Sequence, residues 1–331
     1  MSDVPGLVAR LAEGDRRALA RLLTLVEDGT PAMQHEVVVA LHPQAGTARL
    51  IGVTGAPGVG KSSVTSALVA ELRAHGRRVA VLAVDPSSPL TGGALLGDRI
   101  RMQAHHGDDG VFVRSIAARG HLGGLAAAVP AAALVADAAG FDDVILETVG
   151  VGQSEVDVAA MADTTIVVLA PGLGDSVQAA KAGILEVADV LVVNKADQSG
   201  AGRLEAELRG MLELGHAAAP DGAPGRMPPL LRTVAVRGEG IDELLDAIDR
   251  HGMESTGVRD QARALARARR WVVELAAGRI RDVLSVTGGP LAARLDELAS
   301  DVVARRIDPV GAAAQLTVGL ERADEVSPPP R

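Results

Sequence analysis

The sequence lacks cysteine and tyrosine, and only three of its 331 residues are aromatic. Without cysteine, the chain can form no disulfide bond, thiolate nucleophile or thiolate metal site. The aromatic residues are Phe112, Phe141 and Trp271, too few for the stacking platforms on which proteins bind single-stranded nucleic acid. These absences argue against cysteine chemistry and against recognition of unpaired bases.

Net positive charge and long apolar runs are absent as well. The formal net charge is −9, so a surface that follows the phosphates of a nucleic acid is not expected. No apolar run reaches the roughly 18 residues that a membrane span requires, and the acidic N-terminus does not follow the pattern of a secretory signal. We therefore expect a soluble, cytoplasmic protein whose partners include neither nucleic acid nor membrane.

Lysine and asparagine are scarce, and they coincide in one hexapeptide. Asn194 is the only asparagine. Beside thirty arginines there are only three lysines, which are Lys61, Lys181 and Lys195. Where arginine supplies the general positive charge, a remaining lysine suggests a role that guanidinium cannot fill. Taken alone, residues 192–197, VVNKAD, fit either a polar turn after a strand or a contact to a nucleotide base.

From about residue 49, short apolar runs rich in β-branched residues alternate with helical stretches. Continuous apolar runs are typical of strands that are buried on both faces. The intervening helices imply right-handed crossovers in a mostly parallel sheet, and so an α/β fold. Seven strands are predicted, at residues 49–54, 79–84, 111–116, 143–148, 164–170, 189–194 and 232–236.

Helical patterns flank this region. Residues 4–28 predict two short helices with a Gly-Asp break between them, and the chain looks helical again from residue 258. We expect an N-terminal helical segment at 1–47, an α/β domain at 48–252 and a C-terminal helical region at 253–331. An apolar stripe in the last region suits packing on the α/β domain or on a second subunit. Its members are Leu265, Trp271, Val272, Leu275, Ile280 and Val283.

A phosphate-binding loop is predicted directly after the first strand. The segment GVTGAPGVGKSS, which starts at Gly52, fits the pattern G-x-x-x-x-G-K-[ST] and precedes a helix. Glycines let backbone N–H groups turn toward phosphates at the positive end of that helix. Lys61 can reach the β- and γ-phosphates, and Ser62 can ligate Mg²⁺. The predicted nucleotide-binding residues of the loop are Gly55, Ala56, Pro57, Gly58, Val59, Gly60, Lys61, Ser62 and Ser63.

With a phosphate loop upstream, VVNKAD falls at the sheet edge where the base of a bound nucleotide belongs. Asp197 can accept two hydrogen bonds from guanine, whereas adenine offers no donors there and would leave the carboxylate unpaired. Asn194 would brace the loop, and the stem of Lys195 would lie along the base and ribose. The two motifs in this order predict a GTPase that binds GTP and GDP.

Acidic residues near strand ends predict the metal and catalytic positions. Glu147 in the segment ETVG stands where GTPases carry the aspartate of D-x-x-G, and Gly150 can offer its N–H group to the γ-phosphate. Val151 occupies the position of the water-orienting glutamine of Ras-type GTPases, so intrinsic hydrolysis should be slow. The predicted metal ligands are Ser62, Asp85, Asp98 and Glu147, and the predicted catalytic residues are Lys61, Glu147 and Gly150.

Together these motifs resemble the MeaB/ArgK family of P-loop GTPases, bacterial counterparts of the human methylmalonic aciduria type A protein. The resemblance extends over nearly the whole chain and includes the blocks GVTGAPGVGKSS, VDPSSPLTGGALLGDRIRM, ETVGVGQSE and APGLGDSVQAAKAGILEVADVLVVNKAD. It implies a chaperone that gates adenosylcobalamin loading and protects methylmalonyl-CoA mutase or a related B12-dependent acyl-CoA mutase. It also implies a homodimer joined through C-terminal helices. A third switch facing the mutase would run from Ala170 to Lys181 and include Asp175 and Gln178.

Other functions stay open on the sequence alone. The older name of the family points to a kinase or ATPase that serves amino-acid transport, although NKAD speaks against ATP. A nickel-inserting GTPase would need thiolates or clustered histidines, and neither is present. A scaffold that binds GTP without turnover is a third alternative. Residues 234–240, VAVRGEG, lack the Ser-Ala pair with which many GTPases contact guanine, so the last base contact is unassigned.

Overall fold

The computed structural model of the protein describes residues 3–86, 105, 107–118, 128–148, 158, 160–172, 187–217, 227–254, 258–285 and 290–324. The chain divides into two compact units, Met1–Arg267 and Ala268–Arg331. The first contains the sheet and the helices that pack on it, and the described part of the second is helical. The predicted three-part division, with boundaries after residues 47 and 252, stays a prediction.

Three short helices precede the sheet, namely α1 at Val4–Ala12, α2 at Arg16–Asp28 and α3 at Pro31–Leu41. The Asp15 carboxylate accepts hydrogen bonds from two backbone N–H groups in the first turn of α2. A capping aspartate of this kind satisfies donors that have no partner inside the helix. The Gly-Asp break therefore separates two helices, which confirms the prediction for residues 4–28.

Helix α3 was not among the predicted helices. It has a start signal, because the Thr30 hydroxyl accepts a hydrogen bond from the Met33 N–H at 3.3 Å and proline follows at the first helical position. Its apolar residues, however, do not keep to one face: Val37 is fully buried, whereas Val39 is 57% exposed. The one-sided apolar pattern of the preceding helix therefore does not continue past Gly29, and α3 shows no such pattern from which it could be predicted.

In the described part of the chain the sheet has seven strands, which are β1 Arg49–Thr54, β2 Val79–Pro86, β3 Val111–Ala118, β4 Asp143–Thr148, β5 Thr164–Leu169, β6 Val190–Val193 and β7 Leu230–Arg232. Their order is β3-β2-β4-β1-β5-β6-β7, and every neighbouring pair is parallel. The predicted fold class is confirmed. Because the strands are parallel, their carboxyl ends share one edge, with β1 in the middle.

Helices cover both faces of the sheet, and among the described residues those that alternate with strands are α4 Lys61–Ala74, α5 Ala128–Ala138, α6 Ala201–Ala217 and α7 Ile241–Glu254. Val79 and Val81 of β2 belong to an apolar cluster that includes residues of α4 and α7. Leu82 and Val84 belong to a second cluster, with residues of α1 to α3 and α5. A strand with apolar neighbours on both sides has no polar face, which explains its continuous apolar sequence.

One predicted strand is displaced. The sequence predicted a strand at residues 232–236, but β7 ends at the first of these residues and Ala235–Arg237 forms a 3₁₀ turn. The Thr233 hydroxyl and the Ala235 N–H group both donate to Asn194 Oδ1, at 3.1 and 3.2 Å. The chain therefore bends around a buried asparagine, which strand propensity alone does not foresee.

The helices beyond residue 257 are α8 Val258–Ser285, α9 Pro290–Val303 and α10 Pro309–Asp324, which confirms the predicted helical character. Within the second unit, Arg294 Nη2 of α9 donates to Gln315 Oε1 of α10 at 2.9 Å. Among the described helices, none is both long and apolar enough to cross a membrane. Exposed apolar side chains of α8 include Leu265, Val272, Val273, Leu275 and Ile280.

Candidate functional site

The loop of residues 55–60 joins the central strand β1 to helix α4, and Lys61 is the first residue of that helix. The Lys61 side chain is only 7% exposed. Its Nζ atom donates to the carbonyl oxygens of Gly55 at 2.7 Å and Ala56 at 3.2 Å. The ammonium group therefore lies within the curve of the loop, close to the positive end of the α4 dipole.

Two glycines give the loop its shape. Gly60 has a φ of 95°, and a Cβ atom there would lie 2.4 Å from Asn194 Nδ2. Gly55 has a φ of 140°, and its Cβ atom would lie 2.2 Å from the carbonyl oxygen of Val168 on β5. Both positions combine a left-handed backbone with no room for a side chain. Only glycine fits them without displacing a neighbouring strand or the asparagine.

Asn194 follows β6 and ties the predicted base-binding segment to the phosphate loop. Its side chain is 2% exposed, and Nδ2 donates to the carbonyl oxygen of Val59 at 2.9 Å. On the other side, Oδ1 accepts the two hydrogen bonds from Thr233 and Ala235. The amide thus joins three segments that are distant in sequence, and it uses both donor and acceptor to do so.

Lys195 makes a second link between the same segments. Its Nζ atom donates to the carbonyl oxygen of Gly58 at 2.7 Å, and its backbone has a φ of 56°. A left-handed conformation is uncommon for a residue with a long side chain, and such strain concentrates at functional sites. The lysine stem therefore runs from the end of β6 toward the phosphate loop.

Asp197 lies two residues further along and contacts the turn after β7. Its Oδ2 atom is 3.2 Å from Arg237 Nη1, and its side chain is 40% exposed. Arg237 is held in turn by Glu239, with Nε to Oε1 at 2.7 Å and Nη2 to Oε2 at 3.3 Å. The Glu239 carboxylate, with a further contribution from Asp197, raises the pKa of Arg237. The guanidinium therefore stays charged across the physiological range.

Next to Lys61 in the sequence, Ser62 donates a hydrogen bond from its hydroxyl to Glu147 Oε1. Glu147 lies near the carboxyl end of β4 and is 2% exposed. A hydroxyl and a buried carboxylate beside a phosphate loop are the hard oxygen ligands that Mg²⁺ prefers, so these two residues fit the predicted metal. Within the described ranges, no group of three or more histidine or acidic side chains could hold a metal ion.

The remaining predicted residues lie wholly or partly outside the described part of the chain. The backbone of Asp85 lies near the end of β2, in register with Ala117 of β3, but its side chain is not among those described. The other predicted residues outside the described ranges are Asp98, Gly150, Asp175, Gln178 and Lys181.

A groove of about 1090 Å³ is lined by the phosphate loop, α4, the end of β4 and the segments that follow β6 and β7. Residues of the phosphate loop and α4, including Gly58, Lys61 and Ser62, line it together with Glu147 and Lys195. Sequence reasoning missed part of its wall. The added lining residues include His105, whose Nε2 is 3.0 Å from Ser66 Oγ, and Ala235, Val236, Gly238 and Ile241.

The missed wall at Ala235 follows the final strand of the sheet. The sequence left the last base contact unassigned because residues 234–240, VAVRGEG, contain no Ser-Ala pair. The sequence signal that could have identified this wall is its position, because a turn with two glycines comes directly after the last strand. In the structure both glycines, Gly238 and Gly240, have positive φ. Val236 is 82% exposed and contributes an apolar surface to the groove that Lys195 also lines.

Comparison with known proteins agrees with this geometry. A family model described as methylmalonyl-CoA mutase-associated GTPase MeaB matches residues 19–288. A protein of Pyrococcus abyssi described as a putative GTPase is 50% identical over 245 residues, which cover 74% of this chain and 75% of that protein. The mitochondrial methylmalonic aciduria type A homolog of Caenorhabditis elegans is 41% identical over 209 residues, which cover 59% of this chain and 52% of that protein.

A solved structure described as an LAO/AO transport system kinase has a TM-score of 0.67 and 28% sequence identity, and the match covers 97% of this chain and 99% of that one. The fold likeness therefore extends beyond the sheet to nearly the full length of both chains. Since the family model itself spans most of the sequence, the protein is a guanine-nucleotide-binding GTPase that belongs to the MeaB family.

Proposed function

We propose that the groove binds GTP and GDP, with the phosphates at residues 55–63 and the base at Asn194, Lys195 and Asp197. The observation that carries this proposal is the hydrogen bond from Asn194 Nδ2 to the Val59 carbonyl oxygen, because it fixes the NKAD segment against the phosphate loop. One nucleotide can then touch both motifs. The lining of the groove by Lys61 and Lys195 supports the same arrangement.

Each residue near the phosphates has a role in this proposal. Lys61 donates to β- and γ-phosphate oxygens and stabilises the charge that develops during phosphoryl transfer. Ser62 and Glu147 hold Mg²⁺, with Asp85 and Asp98 as further acids of its shell. When bound, Mg²⁺ neutralises charge on the β- and γ-phosphates. Gly150 would offer its backbone N–H group to the γ-phosphate.

Hydrolysis by the isolated protein should be slow. Val151 follows the ETVG segment at the position where Ras-type GTPases carry a glutamine, and an aliphatic side chain cannot orient the attacking water. A partner that supplies or positions a polar group would then accelerate the reaction. The nucleotide state would serve as a signal between the GTPase and that partner.

The proposed partner is methylmalonyl-CoA mutase or a related B12-dependent acyl-CoA mutase. The GTPase would gate the loading of adenosylcobalamin and protect the mutase during turnover, as a homodimer in the cytoplasm. Support comes from the description of the matching family model and from the name of the nematode relative. The exposed apolar side chains of α8 offer a surface that could be covered in a dimer.

The test combines purified protein with the apo form of methylmalonyl-CoA mutase. GTP hydrolysis should rise at least about tenfold when the mutase is added, because a partner-supplied group can stabilise the transition state. Transfer of adenosylcobalamin to the mutase, followed by absorbance, should differ between GTP, GDP and a non-hydrolysable GTP analogue. The Lys61→Ala variant controls for contaminating hydrolases. Equal hydrolysis with and without mutase, and equal loading in all three nucleotide states, would contradict the proposal.

A kinase or ATPase that serves amino-acid transport is the alternative, and the similarity to a solved structure described as a transport system kinase favours it. The two proposals differ in the base. Adenine presents no donors to Asp197 at the position where guanine presents two. Competition between ATP and GTP for the purified protein tests the alternative: it requires binding of ATP, whereas a large preference for GTP would exclude it and agree with the GTPase family of the chain.

A further inference from the structure

The carboxylate that we propose as the guanine reader is held by a second residue. Asp197 is on the loop after β6, and 40% of its side chain is exposed. Arg237 belongs to the 3₁₀ turn after β7 and reaches Asp197 Oδ2 through Nη1 at 3.2 Å. These two residues are 40 positions apart in sequence. Their contact joins the loop after β6 to the turn after β7, and these segments contribute Lys195 and Ala235 to the lining of the groove.

Arg237 is itself fixed from a different direction. Its Nε and Nη2 atoms donate to the two carboxylate oxygens of Glu239, at 2.7 and 3.3 Å. A guanidinium bound in this two-point manner has a defined plane, because its fork matches the geometry of a carboxylate. The third nitrogen, Nη1, then points to Asp197 with little freedom. Asp197 thus accepts a hydrogen bond from a guanidinium that is itself oriented by Glu239.

Recognition of guanine depends on that orientation. The ring N–H and the exocyclic amine form two parallel hydrogen bonds only if both carboxylate oxygens lie near the plane of the base. A half-exposed aspartate without a fixed partner samples several rotamers, and ordering it costs free energy when the base binds. Since a carboxylate offers about four acceptor positions, one contact with Arg237 leaves acceptors for both donors of guanine.

We propose that Arg237, held by Glu239, is a positioning residue that orients the Asp197 carboxylate for two-point recognition of guanine. Val234, which precedes the turn, has no polar side-chain atom that could bind Asp197. The turn contacts Asp197 through Arg237 instead. The inference rests on the proposed reading of guanine by Asp197.

The experiment compares GTP with inosine triphosphate, whose base keeps the ring N–H group but lacks the exocyclic amine. Affinities are measured by displacement of a fluorescent GDP analogue from the full-length protein. Arg237→Ala should weaken GTP binding by about fivefold, near the upper limit for an exposed ion pair. It should weaken inosine triphosphate binding by no more than about twofold, because only guanine uses the second aligned oxygen. The GTP preference therefore falls.

Two further variants test the role of geometry. Arg237→Lys keeps the charge but cannot bind Glu239 and Asp197 together with the same fork, so it should restore only part of the preference. Arg203→Ala removes one positive charge from an exposed pair on α6 and should change neither affinity. The melting temperature of each variant is recorded, and a structural role alone would lower it and weaken both nucleotides equally.

The outcomes distinguish the positioning role of Arg237 from the proposed recognition of guanine by Asp197, on which it rests. If Asp197→Ala leaves the GTP preference intact, the proposed base recognition fails. If Asp197→Ala abolishes the preference but Arg237→Ala leaves it unchanged, or weakens both nucleotides to the same extent, the positioning role fails alone. Tighter GTP binding in Arg237→Ala would also overturn it, since the arginine would then compete with the base.

Discussion

At the scale of single residues, scarcity and structure agree most clearly at Asn194. Its donor and its acceptor are both engaged, with Val59 on one side and Thr233 and Ala235 on the other. Aspartate could not donate to Val59, and glutamine, with one more methylene group, would move the amide away from the positions at which it meets these partners. A chain that otherwise avoids asparagine keeps it where one short amide must connect three segments.

Glu147 provides the prediction at this scale. Glu147→Gln keeps the size of the buried side chain but removes its charge, and the amide can no longer attract a divalent cation as strongly. We expect the Mg²⁺ concentration for half-maximal GTP hydrolysis to rise by about tenfold, the lower range for loss of a group that supports a metal site. The measurement is a Mg²⁺ titration of GTPase rate at saturating GTP.

The matched control for this prediction is Glu207→Gln, which makes the same substitution at a helix surface where Glu207 pairs with Arg203. Its Mg²⁺ dependence should equal that of the wild type. An unchanged titration curve in Glu147→Gln would remove Glu147 from the metal site and shift attention to Asp85 and Asp98.

At the scale of elements, the loop between β1 and α4 has its shape because glycine allows left-handed backbone. Gly60→Ala would combine a φ of 95° with a Cβ atom 2.4 Å from Asn194 Nδ2. We expect it to weaken nucleotide binding by at least about tenfold, because the asparagine that links the two motifs must move. The left-handed strain alone costs about 1–2 kcal/mol of folding stability. Isothermal titration with GDP and thermal unfolding measure the two effects.

Gly76→Ala is the control for Gly60→Ala. Gly76 follows α4, has a similar φ of 76° and has no atom within 4 Å of its hypothetical Cβ. It should lose a similar amount of stability from backbone strain while binding GDP as the wild type does. Equal loss of affinity in both variants would mean that strain, and not contact with Asn194, governs the loop.

The helices and strands also show which parts of the fold could be predicted from the sequence. Strands such as β6 are buried throughout, and their continuous apolar sequence located them correctly. Helix α3 was missed because its apolar residues are not confined to one face, and the last strand was displaced because hydrogen bonds to Asn194 bend the chain. Local sequence patterns therefore located the elements with a regular apolar pattern. They missed a helix without such a pattern and a strand end that is determined by a side chain distant in sequence.

The site follows the same rule. Lys61, Ser62 and Lys195 were identified because each belongs to a short motif with fixed spacing. The contact between Asp197 and Arg237 joins residues that are 40 positions apart in sequence, and no sequence motif predicts it. Residues that act through a neighbour in space need the fold before they can be recognised.

At the scale of the whole molecule, the question is how the groove communicates with a partner. Three lysines stand among thirty arginines, and two of them, Lys61 and Lys195, contact the carbonyl oxygens of the phosphate loop. Lys181 lies outside the described residues, in the segment PGLGDSVQAAKAG that follows β5. β5 is a parallel neighbour of β1, so its carboxyl end lies at the edge of the sheet that carries the phosphate loop.

We therefore predict that Lys181 couples nucleotide state to the mutase. Coupling requires that a residue make different contacts in the two nucleotide states, and a typical coupling free energy corresponds to a roughly 5- to 150-fold effect. Lys181→Ala should leave GTP affinity and slow basal hydrolysis intact while it reduces mutase-stimulated hydrolysis by about tenfold. Arg209→Ala, which removes a cation from the exposed surface of α6, should leave stimulation unchanged. Hydrolysis rates with and without methylmalonyl-CoA mutase decide the matter: if both variants are stimulated as strongly as the wild type, Lys181 is an ordinary surface cation.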